Sequence, residues 1–220
     1  MDEAIRLYEE GKYEEALDAL LNLDVDSDRY SELSYYLGLC YTQLEQYDEA
    51  LLYLEQVVTA EVSFAKIYQS RMILGYIYAI TGRYRLAEFE FARLLEDGYE
   101  SPKVYCALAY NQYHQNNIAA AVTNLQKALQ LEPKNPTALN NLGFVLAEKG
   151  AKPALAVRYC KDALSANPES ATYLDSLGWA LHKAGNTDQA QKVLRRALEL
   201  RPEDQEIREH LSVVTREEAV

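Results

Sequence analysis

The sequence predicts an all-α solenoid: about six helix hairpins in series, followed by a capping helix at the C-terminal end. Three observations predict it. First, one order of residue types recurs. Leu177-Gly178, Leu181, Gly185, Ala190, Leu194, Ala197 and Pro202 form one copy, and Leu142-Gly143, Leu146, Gly150, Ala156, Ala163 and Pro168 form another. Leu74-Gly75, Tyr78, Gly82, Tyr84, Ala87 and Phe91 form a third. Self-similarity at a period of roughly 34 residues signals a helical repeat architecture. Second, glycine and proline are few and fall where helices should end. Third, in the segment after Pro202, Ile207, Leu211 and Val214 make one apolar stripe among charged residues. A capping helix reads this way, apolar towards the last repeat and polar towards water.

The elements follow in order as repeats at about 1–28, 29–62, 64–99, 101–134, 135–169 and 170–203, with a cap at 204–218. Together they form a single solenoid domain. Repeat one fits through Ala4, Leu7, Gly11, Tyr13, Ala16 and Leu20, but its first helix begins only at about Met1. The linker at 22–28 offers Asp and Ser as N-cap residues for the next helix. In repeat two, Glu45 replaces the turn glycine, so the turn must avoid a positive φ or tolerate strain. Tyr47 to Tyr84 is a longer step than the others. The insertion lies near 61–66, predicts longer helices there, and marks the expected seam between sub-bundles. Repeat four starts at Ser101-Pro102 and repeat five at Asn135-Pro136, with proline at the first helical position of each. The turn of repeat five carries one extra residue before Pro153. Small residues (Gly38, Gly75, Ala109, Gly143 and Gly178 on first helices; alanines on second helices) allow close helix approach. One hairpin cannot bury its own apolar face, and stacking can.

These Leu-Gly, Tyr, Gly-x-Tyr, Ala, Phe/Leu, Ala and Pro positions resemble the tetratricopeptide repeat (TPR), over nearly the whole chain. The resemblance implies a right-handed superhelix and a scaffold role with a protein or peptide ligand. The Leu-Gly-Trp form of the last repeat and its ending at 202–211 are similar to bacterial TPR proteins linked to envelope assembly. In TPR proteins the first helices line the concave face. The resemblance therefore implies a groove built from the residue after each Leu-Gly pair: Leu39, Tyr76, Tyr110, Phe144 and Trp179. One turn earlier on the same faces stand Tyr35, Met72, Cys106, Asn140 and Asp175. Tyr113, His114, Asn141 and His182 complete the expected peptide-binding set. Aromatic walls bury area at low entropic cost, and polar groups fix register. An apolar column at helical spacing is also what a tight repeat core shows. The groove residues that clamp a C-terminal carboxylate in chaperone-binding relatives are not reproduced, Lys103 excepted.

Composition bounds the rest. Residues 1–102 hold 21 acidic and 8 basic side chains, and residues 103–220 hold 13 and 14, so the excess acid lies wholly in the first half. Such a surface repels nucleic acid and suits basic or neutral protein partners. No segment has the ~20 apolar residues of a membrane span, and the acidic N-terminal stretch is no secretory signal. The expected location is cytoplasmic, or periplasmic if a leader or lipid anchor has been removed. Three unpaired cysteines, Cys40, Cys106 and Cys160, read as reduced thiols, mostly core. HExxH, CxxC, P-loop and GxSxG motifs are missing. The expectation is therefore no enzyme, no cofactor and no metal, with His210 on the cap surface. A second reading is self-assembly, with the uncapped first repeat of one copy meeting another copy.

Overall fold

The computed structural model describes residues 1–60 and 63–217, and it is all-α throughout them. The cap expected to reach 218 thus ends partly outside the described residues, as does the insertion near 61–66. The chain divides into two compact units, Met1–Glu100 and Ser101–Val220. The division falls at the boundary before Pro102 and not at the insertion.

In the first unit, α1 (Asp2–Glu9) pairs with α2 (Tyr13–Leu21), α3 (Tyr30–Gln43) with α4 (Tyr47–Val58), and α5 (Phe64–Ile80) with α6 (Tyr84–Glu96). The expected Asp and Ser caps do not form. The chain enters α3 through a 3-10 turn at Ser27–Arg29, and no side chain caps either element. The lengthening expected around the insertion is taken up in α5, which has 17 residues. Glu45 takes the strained alternative, with φ +57°. Its neighbour Gln46 donates a backbone bond to the Tyr41 carbonyl at 2.9 Å, which closes the end of α3 as a glycine turn would.

In the second unit, α7 (Pro102–His114) pairs with α8 (Ile118–Leu131), α9 (Pro136–Glu148) with α10 (Pro153–Ala166), and α11 (Ala171–Lys183) with α12 (Thr187–Leu200). The cap α13 (Gln205–Glu217) packs on both α11 and α12. First helices lie side by side, α7 on α9 and α9 on α11, which aligns their exposed faces into one surface. Ser101 and Asn135 cap α7 and α9, accepting from the amides of Val104 and Ala138, with proline next in each helix.

The small residues allow the close approach that the repeat requires. A Cβ on Gly38 would stand 2.6 Å from Leu54, on Gly75 2.4 Å from Phe91, and on Gly178 2.5 Å from Leu194. On Gly143 it would meet Cys160 Sγ at 2.5 Å. Four first helices, α3, α5, α9 and α11, therefore press a glycine onto one side chain of the partner helix. Inside the first unit, Arg71 of α5 and Glu90 of α6 form a buried ion pair at 2.8 Å. The cap stripe behaves as expected, with Ile207 and Val214 fully buried.

Candidate functional site

In the second unit the first-helix face carries an open cleft of about 220 Å³. Helix α7 supplies Tyr110, Tyr113 and His114. Helix α9 supplies Asn140, Asn141 and Phe144, α11 supplies Thr172, Asp175 and Ser176, and α13 supplies Glu206. Seven residues expected on the groove face, Asp175 among them, thus converge here. A second hollow, of about 470 Å³, continues past Tyr110 and Asn141 to Lys103, Cys106 and Thr137.

The rings form a continuous row. Tyr110 and His114 have centroids 4.3 Å apart, Tyr113 and His114 5.5 Å, and Tyr113 and Phe144 5.9 Å. The row passes to His210 at 6.2 Å from Phe144 and ends on Trp179, which stacks on His210 at 4.3 Å and 20°. Helical spacing produces this: residues three and four apart share a face, so each helix contributes a short arc to one line. Tyr110 keeps 45% of its surface exposed. Burial lowers the His114 imidazole from its ordinary value, which favours the neutral ring.

Asn140 sits at the floor, almost fully buried. Its Nδ2 donates to Asn141 Oδ1 at 3.4 Å, and its own Oδ1 has no hydrogen-bond partner among the described residues. A buried carbonyl without a donor costs about 1–3 kcal/mol. A ligand bringing an N–H would recover that cost.

Other expected residues stand elsewhere. Trp179 is buried, its Nε1 donating to Glu148 at 3.0 Å, with the Lys183 ammonium 4.4 Å from its ring centroid. His182 lies beside it, with ring centroids 5.3 Å apart. In the first unit, Tyr35 and Leu39 are buried with Val57 in the packing of α3 and α4, and Tyr35 donates to Gln69 of α5 at 2.7 Å. Met72 is half-buried, while Tyr76 is exposed, with Ile80 exposed one turn on.

His210 corrects its surface assignment. Its side chain is only 12% exposed, and Nδ1 lies 2.9 and 3.0 Å from the two Asp175 carboxylate oxygens. Burial opposes its charged form, but the hydrogen bond and charge of Asp175 outweigh this and raise the imidazole above its ordinary value. Glu206 is exposed as a residue. Its carboxyl is nonetheless held above the usual carboxylate range, by burial first and by Asp175 second. The sequence held a signal for both residues: Glu206 and His210 are four apart and each precedes a residue of the cap stripe, so they flank the buried face.

Family comparisons bear on most of the chain. Tetratricopeptide-repeat families match residues 1–65, 44–101 and 135–203, and a TPR-repeat family matches 109–150. No curated protein matches the sequence. Among solved structures, the APC/C hetero-tetramer Cut9-Hcn1 aligns at TM-score 0.80 and 20% identity over 98% of this chain. The present chain spans only 42% of that one. A thermophilic TPR protein in Thermus thermophilus aligns at TM-score 0.65 and 18% identity, covering 84% of this chain and 98% of that one. YrrB, described as a TPR protein with an unusual peptide-binding site, aligns at 0.58 and 17%, covering 89% and 95%. At these identities the likeness establishes the fold.

Proposed function

The chain belongs to the tetratricopeptide-repeat family, a fold of protein–protein interaction scaffolds, and on that premise we propose that it binds an extended peptide segment in the cleft between α7, α9, α11 and α13. The observation that carries the reading is the unpartnered Asn140 Oδ1 at the floor of an aromatic row. The carbonyl offers an acceptor to a ligand main-chain N–H. The rings of Tyr110, Tyr113 and Phe144 offer walls for its side chains. The α13 end is acidic, through Asp175 and Glu206, so a basic ligand residue belongs there.

Tyr110 sets the scale. A ring side chain of this class buries 150–250 Å², so 45% exposure leaves about 100 Å² to cover. At about 25 cal/mol per Å² this is worth about 2 kcal/mol, or roughly 30-fold in affinity. The test selects peptides from a random library on the immobilised chain and measures the best by fluorescence anisotropy. Tyr110→Ala with Phe144→Ala is expected to weaken binding at least tenfold at unchanged helicity. Selected peptides that bind the double variant as tightly as wild type would refute the cleft as the site.

A further inference from the structure

We propose that Asp175, Glu206 and His210 form a binding site for a divalent transition-metal ion of the zinc class, tying α13 to α11. Glu206 and His210 are one turn apart on α13, so their side chains leave the same face. Asp175 faces them from α11. Their donor atoms all lie within 4.8 Å of one another.

The distances suit coordination. Zinc binds imidazole nitrogen and carboxylate oxygen at about 2.0–2.2 Å, so two such donors at right angles on one ion stand about 3.0 Å apart, and at a tetrahedral angle about 3.4 Å. His210 Nδ1 and the Asp175 oxygens, at 2.9 and 3.0 Å, already have that separation. The widest gap, 4.8 Å, slightly exceeds the roughly 4.2 Å between donors on opposite sides of one ion. A rotamer change of the exposed Glu206 closes it.

The charges point the same way. Two carboxylates face one imidazole, so even a protonated ring leaves net negative charge beside the largely buried His210–Asp175 pair. A divalent cation compensates both carboxylates at once. The imidazole nitrogen distinguishes zinc-class ions from magnesium and calcium, which take oxygen donors. The Trp179 ring stacked on His210 fixes the imidazole plane, the role that outer partners play around bound metals. Asp175 and Glu206 also line the cleft, so a bound ion would take the place of the basic ligand residue of the proposed function, and its remaining positions would open towards the ligand.

The experiment is calorimetric titration of the full chain with zinc chloride at pH 7.5, beside magnesium chloride. Wild type is expected to show one saturable zinc site with micromolar affinity and no comparable magnesium site. Glu206→Gln and His210→Gln are each expected to weaken it at least tenfold. Glu206 is exposed, so its variant keeps the fold, and circular dichroism checks both variants. At equal zinc concentration, zinc should raise the Tm of wild type more than that of Glu206→Gln. Absence of a saturable site, wild-type affinity in either variant, or equal affinity for magnesium overturns the proposal.

Discussion

The chain's single tryptophan makes the docking of α13 directly measurable. Trp179 is 7% exposed, and His210 covers one of its faces. His210→Ala removes two things. The ring stack is worth about 0.5–1.5 kcal/mol. The Asp175 carboxylate, 9% exposed, also loses its hydrogen-bonded partner among the described residues, which costs about 1–3 kcal/mol for a buried acceptor. The sum is about 2–4 kcal/mol, all in the second unit, and corresponds to a fall in Tm on the order of 10 °C. Ile207 and Val214 remain buried on α11 and α12, so the helix stays partly docked. The assay is Trp emission with acrylamide quenching, in EDTA so that no metal contributes, beside a thermal melt. His210→Ala should shift emission to the red and raise quenching, while Val213→Ala on the exposed side of α13 should do neither. Emission and quenching identical in His210→Ala and wild type would refute the stacked arrangement. A red-shifted wild type would refute the burial of Trp179 itself.

Two further predictions concern the interior. Gly143→Ala would bring a Cβ to 2.5 Å from Cys160 Sγ and 2.9 Å from the Ala156 carbonyl oxygen, and the backbone oxygen cannot swing away. Overpacking of about 1–3 kcal/mol, set against a helix-propensity gain of about 1 kcal/mol, should lower the urea midpoint; an unchanged or raised midpoint would remove the close-approach account of the glycines. Burial pushes the Cys160 thiol from its ordinary 9.0 up to about 12. Below pH 9 both folded and unfolded chains hold the proton. Between 9 and 12 only the unfolded chain ionises, so stability is lost as pH rises through that window, by about 4 kcal/mol for this thiol at 1.36 kcal/mol per unit. Urea melts from pH 7 to 10.5 should show the decline, and Cys160→Ala should make it shallower, the buried Cys40 and Cys106 thiols supplying the rest. Rapid labelling of the native chain by a thiol reagent at pH 8 would contradict the burial of all three cysteines.

Hairpin boundaries were legible because punctuation and packing residues are local. Pro102 and Pro136 open their helices, and Gly143 meets a residue in its own repeat. The state of the groove column was not legible, because it depends on what the next element lays over it. Tyr35 has the same register as Asn140, but the long α5 brings Gln69 to its hydroxyl and Lys66 to 5.5 Å from its ring centroid. Sequence spacing shows an insertion and cannot say that its first turn covers a tyrosine. Trp179 shares the register of Tyr110, and α13 decides the difference by placing His210 on it. Column position sets the direction of a side chain, and its exposure is set one element later.

The cap therefore has two consequences that a polar lid over the last repeat would not have. Its apolar stripe seals α11 and α12 through Ile207 and Val214, as a terminal repeat requires. Its flanking pair, Glu206 and His210, turns towards the first-helix face, where the residue after Leu177-Gly178 would otherwise face a ligand. The aromatic row consequently runs through α13: His210 links Phe144 to Trp179 and carries Asp175 on its Nδ1. This gives the cleft a direction. Tyr110 and Lys103 lie at one end, acid lies at the other, and Asn140 lies between them. A bound segment would then be oriented by charge as well as by shape, because reversing it would set its basic residue against Lys103.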